Sequence, residues 1–370
     1  MNAEELRNYP KLGFGLMRLP RKDLKTDIEQ TEKMVDLFLE SGFRYFDTAY
    51  VYPGSEEATR KALVSRHARE EFELATKLNA WMLVRNEKSA KKQFYTSLKR
   101  TGLEYFDYYL LHGLMGQNYR SYDRYHIWEY VAELKSRGLV KQAGFSFHGG
   151  PELLEEILNV HPEMDFVQLQ INYADWESKR IASRANYEVA RAHGKPVIVM
   201  EPVKGGSLAK PSRAVRNLFD QTAPNASYAS WAIRFAASLE DVLTVLSGMS
   251  NLAQMHDNVS YMRDFAPLDE RERSVIVEAQ RIMGKESGIP CTACHYCTES
   301  CPKQIPIPEI FAAANLRYQQ GDAEGSRAAY AELADKGSVA DACISCGQCE
   351  RACPQHIDVI RQLELCAAEA

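Results

Sequence analysis

No apolar run in the 370 residues approaches the roughly 20 that a membrane-spanning helix needs. The N-terminus, MNAEELRNYPK, lacks the apolar core of a signal peptide, so export is not expected and a cytoplasmic location is. Lys and Arg number 45 against 50 Asp and Glu, and no basic patch invites nucleic acid. No GxGxxG follows the first predicted strand; LGFGLMRLP does not fit that fingerprint, which argues against a doubly wound dinucleotide-binding sheet. No flavin motif is visible. Cysteine is missing from the first 290 residues.

What is present divides in two. Hydrophobic residues at 45% and charged residues at 26% are ordinary for a globular chain, and the length suits one large domain plus a smaller one. Eight of the nine cysteines lie between 291 and 353. Residues 288–370 hold 6 Lys and Arg against 11 Asp and Glu, so the whole net charge of -5 falls there. Such acidity reads as a solvated surface, or as a face for a basic partner. The boundary is placed at the SGIP segment, giving domains 1–287 and 288–370.

From Leu12 to about Met262, short apolar runs alternate with helical patterns. The expected strands are Leu12–Leu16, Arg44–Ala49, Phe72–Lys77, Phe106–His112, Lys141–Ser146, Phe166–Asn172, Val197–Glu201 and Leu243–Ser247. Between them lie helical patterns at Thr31–Glu40, Ser89–Arg100, Tyr125–Ser136, Pro151–Leu158, Ser178–Ala192 and Tyr228–Ala237. Gly42, Gly102, Gly138 and Gly194 stand where helices end. Eight β-α units in this length predict an α/β fold of the (β/α)8 TIM-barrel kind, with the smaller C-terminal domain mainly helical and ferredoxin-like.

In such a barrel, polar residues at strand C-termini are the catalytic candidates. Asp47 ends the second strand, Tyr52 follows it, Lys77 ends the third and His112 the fourth. Their chemistry fits together. Asp47 pairs with Lys77 and keeps it charged. The Lys77 cation favours the Tyr52 phenolate, so the phenol can exchange a proton with a carbonyl or alcohol oxygen. His112 orients that oxygen. Such a site needs a hydride carrier beside it. Tyr50, Trp81 and Trp176 are candidates to line a substrate pocket, or to pack at the rim.

The segments FDTAYVY, LATKL, LLHG and GFSFH stand in the order and places of the motifs of aldo-keto reductases, and residues 10–262 resemble that family. The resemblance implies a (β/α)8 barrel, nicotinamide-dependent carbonyl–alcohol chemistry and a catalytic tetrad at Asp47, Tyr52, Lys77 and His112. It also implies cofactor positions. Ser146 corresponds to the serine that holds the nicotinamide carboxamide and Gln170 to the family's cofactor-site glutamine on the sixth strand, with Gln168 as an alternative to Gln170. Met17 and Met200 lie beside the cofactor. Gly248, Ser250, Gln254 and Asn258 correspond to the site for the adenosine phosphates, where a helix N-terminus suits phosphate. Three positions depart from the family. Phe147 replaces an asparagine, Met200 replaces the aromatic that stacks on nicotinamide, and no Arg or Lys stands at the 2′-phosphate positions. NADPH preference is therefore not expected, and the mouth is open to NADH or a flavin.

The cysteines form two runs of C-x2-C-x2-C-x3-C-P: Cys291, Cys294, Cys297, Cys301 and Cys343, Cys346, Cys349, Cys353. This spacing predicts two [4Fe–4S] clusters rather than zinc, with the fourth cysteine of each run crossing to the other cluster. Cys353 joins Cys291, Cys294 and Cys297, and Cys301 joins Cys343, Cys346 and Cys349. Cys366 is expected to be a buried apolar residue. The module resembles helical ferredoxin domains, with a helical segment over Pro308–Ala340. Together these features predict an oxidoreductase acting on a small carbonyl or alcohol, with clusters that exchange electrons with a redox protein partner. Hydride moves electrons in pairs and a cluster takes one. A flavin in the barrel, a flavin on a partner, or no exchange at all each meet that mismatch. An electron-transfer subunit with a scaffold barrel, and a reductase with purely structural clusters, are the alternatives.

Overall fold

Eight parallel strands close into a barrel. In chain order they are β1 (Leu12–Gly15), β2 (Tyr45–Asp47), β3 (Glu73–Leu78), β4 (Phe106–Leu114), β5 (Val140–Phe147), β6 (Phe166–Gln170), β7 (Val197–Met200) and β8 (Val242–Ser247). Each bonds to the next, and β8 closes on β1 with Leu12 opposite Val245. All eight expected strands are present, with ends shifted by at most two residues. The computed structural model describes residues 3–23, 25–82, 84–285, 288–335, 337 and 339–369.

The sequence explains these elements locally. All nine residues of β4 are buried, as a parallel strand covered on both faces requires. The helix Ile28–Glu40 starts at Asp27, whose side chain accepts from the Gln30 amide. Gly42, Gly102, Gly138 and Gly194 all have positive φ at helix ends, as expected. The pattern read from Ser178 becomes helical only at Ser183, because Ala182 sits in the left-handed region with φ 53. A short helix not foreseen, Ala3–Asn8, precedes β1. Its Leu6 packs with the inward residues Tyr45, Tyr108, Phe166 and Leu243 near the strand starts, which closes that end of the barrel. The site is left at the opposite, C-terminal end.

The chain divides into two compact units. The first holds the barrel in the residues up to Pro202 and in Ser230–Leu268. The second is Val203–Ala229 with the residues from Asp269 onward. The sequence boundary at 287/288 falls within this second unit, and Ser287 lies outside the described residues. The helices Arg213–Thr222 and Glu270–Met283 pack on each other. Gly205 lies against the Thr292 backbone so closely that a Cβ there would come within 2.5 Å of its carbonyl oxygen.

Within the second unit, the helical stretch expected over 308–340 is two helices, Ile307–Gln320 and Ala323–Asp335. Gly321, at φ 73, ends the first of them, and Lys336 and Ser338 lie outside the described residues. The cysteine repeat is structural as well as sequential. An offset of 52 residues carries Cys291 onto Cys343, and the start of Ile307–Gln320 onto that of the helix Val359–Ala368. The left-handed positions Ala293, His295 and Gln304 map onto Ser345, Gly347 and His356. No helix among the described residues is long and apolar enough to cross a membrane.

The barrel also depends on one missing side chain. A Cβ on Gly144 of β5 would lie 2.5 Å from the Phe166 carbonyl oxygen on β6, a backbone atom that cannot step aside. Gly144→Ala is expected to destabilise the barrel by about 1–3 kcal/mol or more, as overpacking does. Urea unfolding followed by tryptophan fluorescence checks this, since Trp81, Trp128, Trp176 and Trp231 all belong to the barrel unit.

Candidate active site

The ends of β2, β3 and β4 bring four side chains together. Lys77, on β3, is fully buried and donates from Nζ to Asp47 Oδ1, at the end of β2, and to the Thr48 carbonyl at 2.9 Å. Gln168, on β6, donates to the other oxygen, Asp47 Oδ2, at 3.2 Å. The Lys77 ammonium lies 5.1 Å from the centre of the Tyr52 ring. The half-buried Tyr52 ring in turn meets His112 edge-to-face, with centroids 5.6 Å apart at 83°. The four residues read from separate strand ends are therefore one connected cluster.

Burial sets the electrostatics. It raises the Asp47 carboxyl and lowers the Lys77 ammonium, and in each case the partner's opposite charge works against the shift. For Lys77 desolvation is the larger influence, and the expected pairing with Asp47 is what opposes it. His112 is pushed well below its usual range, first by burial and then by the Lys77 and His148 charges. It is a neutral imidazole at pH 7, with one N–H to donate. Behind Lys77, the buried Glu56 carboxylate accepts from Thr76 Oγ1 at 2.8 Å and pairs with Arg100 at 3.2 Å.

The expected cofactor positions follow the strand ends around the mouth. Met17 lies in the turn Leu16–Arg18 directly after β1. Ser146 Oγ accepts from the Gly113 amide at 2.8 Å. Gln170 stands opposite Met200 across β6 and β7 and donates to Asp175 Oδ2 at 3.0 Å. Gln168 and Gln170 share a face of β6, with Gln168 directed to Asp47 and Gln170 one step nearer the mouth. Phe147, on the opposite face of β5 from Ser146, is buried against Phe145.

The helix after β8, Leu252–Met262, offers less than its position implies. Its cap residue Asn251 accepts from the Gln254 amide at 2.9 Å. The Leu252 amide donates to Gln30 Oε1 at 3.2 Å, and the Ser250 amide to Gln254 Oε1 at 2.7 Å. Asn258 is buried between Ser247 and Tyr261, at 2.6 Å from each. Gly248, at the β8 end, has open space on its Cβ side.

Of the rim aromatics, Trp81 adjoins the cluster through its side chain, donating from Nε1 to the His112 carbonyl at 3.2 Å, and the Tyr50 amide donates to the Lys77 carbonyl at 3.2 Å. Trp176 packs on Tyr187 and Phe235, and Tyr50 lies under the Arg100 guanidinium. The buried Asp175 was not foreseen. It collects the amides of Gln170 and Asn172, and Asn172 also bonds the carbonyl of Glu201, which sits at φ 56. The only signal for it was the spacing QINYAD after β6.

The cysteines of the second unit surround two cavities of about 320 Å³ each, counting space open to solvent. Cys291, Cys294, Cys297 and Cys353 line the first, and Cys301, Cys343, Cys346 and Cys349 the second. Each quartet takes three residues from one run and the fourth from the other, as the spacing predicts. In both, an amide two residues on donates to the first sulfur: Ala293 to Cys291 Sγ and Ser345 to Cys343 Sγ, each at 3.4 Å. Burial pushes the Cys349 thiol up to about 11. The donor set, its spacing and the room inside fit a four-iron cluster in each cavity. Cys366 is buried in the adjoining apolar cluster, as expected.

His112 gives the barrel a pH signature. Below about pH 6.5, the unfolded state takes up a proton there that the folded state refuses, so stability falls as pH falls. Wild type is expected to lose about 1.4 kcal/mol per pH unit more than His112→Gln below that point. Urea midpoints read by tryptophan fluorescence between pH 7.5 and pH 5.5 test the difference, and parallel pH dependences would contradict it.

Comparison with known proteins agrees with this geometry. The chain is 28% identical over 217 residues to methylglyoxal reductase of Escherichia coli, covering 57% of this chain and 70% of that one. It is 26% identical over 235 residues to NAD(P)H-dependent 6'-deoxychalcone synthase of Glycine max, covering 58% and 70%. Another relative, an aldo-keto reductase of Mycolicibacterium smegmatis, is 30% identical over 139 residues, and the match spans only 46% of its length. The holo form of an aldo-keto reductase from Bacillus halodurans superposes with a TM-score of 0.58 at 25% identity, covering 73% of this chain and 91% of that one. A sequence model for a 4Fe-4S dicluster domain matches residues 290–357. The aldo/keto reductase family model matches residues 11–281, and the chain belongs to that family of oxidoreductases.

Proposed function

We propose that the barrel interconverts a carbonyl and an alcohol on a small molecule, with a nicotinamide cofactor beside Tyr52, and that each cysteine quartet holds a [4Fe–4S] cluster exchanging single electrons with a redox partner. The observation that carries the reading is the single cluster formed by Asp47, Lys77, Tyr52 and His112 at the strand ends. The names of two relatives, a methylglyoxal reductase and an NAD(P)H-dependent synthase, support the substrate class and the cofactor.

A bound nicotinamide would supply the electron pair as hydride. The chain's residues handle the proton and the geometry. Tyr52 is the half-buried member of the cluster, so its hydroxyl is the group that gives a proton to a carbonyl oxygen or takes one from an alcohol. Lys77 holds a positive charge against the ring and is itself fixed by Asp47 and Thr48. Neutral His112 donates one hydrogen bond to the same oxygen without competing for its proton. Ser146 and Gln170 hold the carboxamide, and Met17 and Met200 flank the ring. Gly248, Ser250, Gln254 and Asn258 bound the adenosine end. No Lys or Arg occurs from Gly248 to Asn258, so this end gives a 2′-phosphate no ion pair and favours neither NADH nor NADPH.

Tyr52→Phe tests the barrel reading. Turnover of a small 2-oxoaldehyde with NADH or NADPH is expected to fall by about 10²–10⁴, the range for one general acid. Tryptophan fluorescence and iron content should not change. Undiminished turnover in the variant would remove Tyr52 from the chemistry.

The quartets make a separate prediction. Anaerobically purified protein should contain about eight iron atoms per chain. Because Cys301 lines the cavity of the second run, Cys301→Ala should damage that cluster and spare the other. Electron paramagnetic resonance of the reduced protein reads this directly, and loss confined to the first-run cluster would contradict the crossing.

A further inference from the structure

The two cysteine cavities are related by the 52-residue offset, and their walls can be compared position by position. Cys353 maps onto Cys301 when the offset is reversed, Ile357 onto Ile305 and Val359 onto Ile307, so the apolar floor is common to both. Three wall positions differ in kind. His295 of the first cavity, an exposed side chain 3.7 Å from Glu309, has Gly347 at its match, which does not line the second. Thr292 of the first cavity is replaced by Ile344 in the second, and Gln355 by Lys303. Thr292 and Gln355 are each only 2% exposed, whereas Ile344 is 57% exposed and Lys303 is also exposed. The first cavity therefore has a hydroxyl and an amide in its buried wall, where the second has an aliphatic side chain and a solvated cation.

We propose that Thr292 and Gln355 make the Cys291–Cys294–Cys297–Cys353 cluster the higher-potential one of the two, so that a single electron entering the chain comes to rest there. The inference rests on the cluster reading above. Reduction adds one negative charge to the cluster, and polar groups in a buried wall stabilise that charge in a low-dielectric setting. The opposing influences on the second cluster are the Lys303 charge and the exposure of Cys346. Water and salt screen an exposed cation, so its field is weaker than that of two buried dipoles at the cavity wall. Thr292 and Gln355 thus act on the cluster as buried polar groups in its wall and leave ligation to the cysteines.

An anaerobic redox titration of the full chain with dithionite, followed by electron paramagnetic resonance and visible absorption, tests the assignment. Wild type should show two one-electron waves at different potentials. Thr292→Val with Gln355→Leu should move the upper wave down and leave the lower one in place. Ile344→Thr, which puts a hydroxyl at the matching position of the second cavity, should raise the lower wave and needs no change at the first cavity. Upper and lower waves that stay fixed in both variants, or coincident waves in wild type, overturn the inference while leaving two clusters in place. Wild-type protein without iron overturns the cluster reading and the inference together. If the double variant loses iron, the response of the lower wave in Ile344→Thr decides.

Discussion

Placing Lys77 and Asp47 together inside the barrel has a desolvation cost on the order of several kcal/mol per ion, even after relaxation. The surrounding structure is arranged to offset it. Asp47 accepts from Lys77 and Gln168, and Lys77 also donates to the Thr48 carbonyl. The participating residues come from β2, β3 and β6, so the pair has this environment only when the barrel is closed. Removing one member would strand a buried charge, a loss of about 3–5 kcal/mol. The fold thus supplies the charge placement, and Tyr52 and His112 meet beside it. Stability and chemistry at this mouth draw on the same few atoms.

The second unit works by a different constraint. Its apolar core is small, and cysteines form part of it: Cys297, Cys301, Cys349 and Cys353 are buried among Ile305, Ile307, Ile310 and Leu363. Each quartet draws on both runs, so ligation would tie residues some 50 positions apart along the chain. A cluster here would be structural by its position whatever electrons it carries. The proposed function sets two-electron chemistry in the barrel beside one-electron groups in this unit.

Much of this was legible in the sequence because the signals are local. Eight apolar runs marked the strands, and polar residues at their ends marked the four side chains that meet at the barrel mouth. The cysteine spacing gave both quartets, including the crossing. What escaped depends on residues far apart. Gln168 could be placed on Asp47 only once β6 faced β2 across the barrel, 121 positions away. The Leu252 amide is met by Gln30, 222 positions away, and nothing near either residue announces it. The grouping of Val203–Ala229 with the cysteine unit has the same origin, in packing that local periodicity does not encode. The break within 308–340 was readable, since Gly321 followed by Asp322 is a helix stop beside a helix start.

The crossing of the fourth cysteines sets an order of events during synthesis. The ribosome delivers Cys291, Cys294 and Cys297 early, but their cavity lacks its fourth cysteine until Cys353 has been added. Cys301 likewise waits for Cys343, Cys346 and Cys349. At about 5–20 residues per second, the first three thiols stand for about 3–12 seconds without their partner. The barrel strands, which end at Ser247, have all been made by then. A nascent chain therefore has a formed barrel sequence and an open, thiol-rich tail at the same moment, which is the interval in which iron delivery and oxidative damage compete.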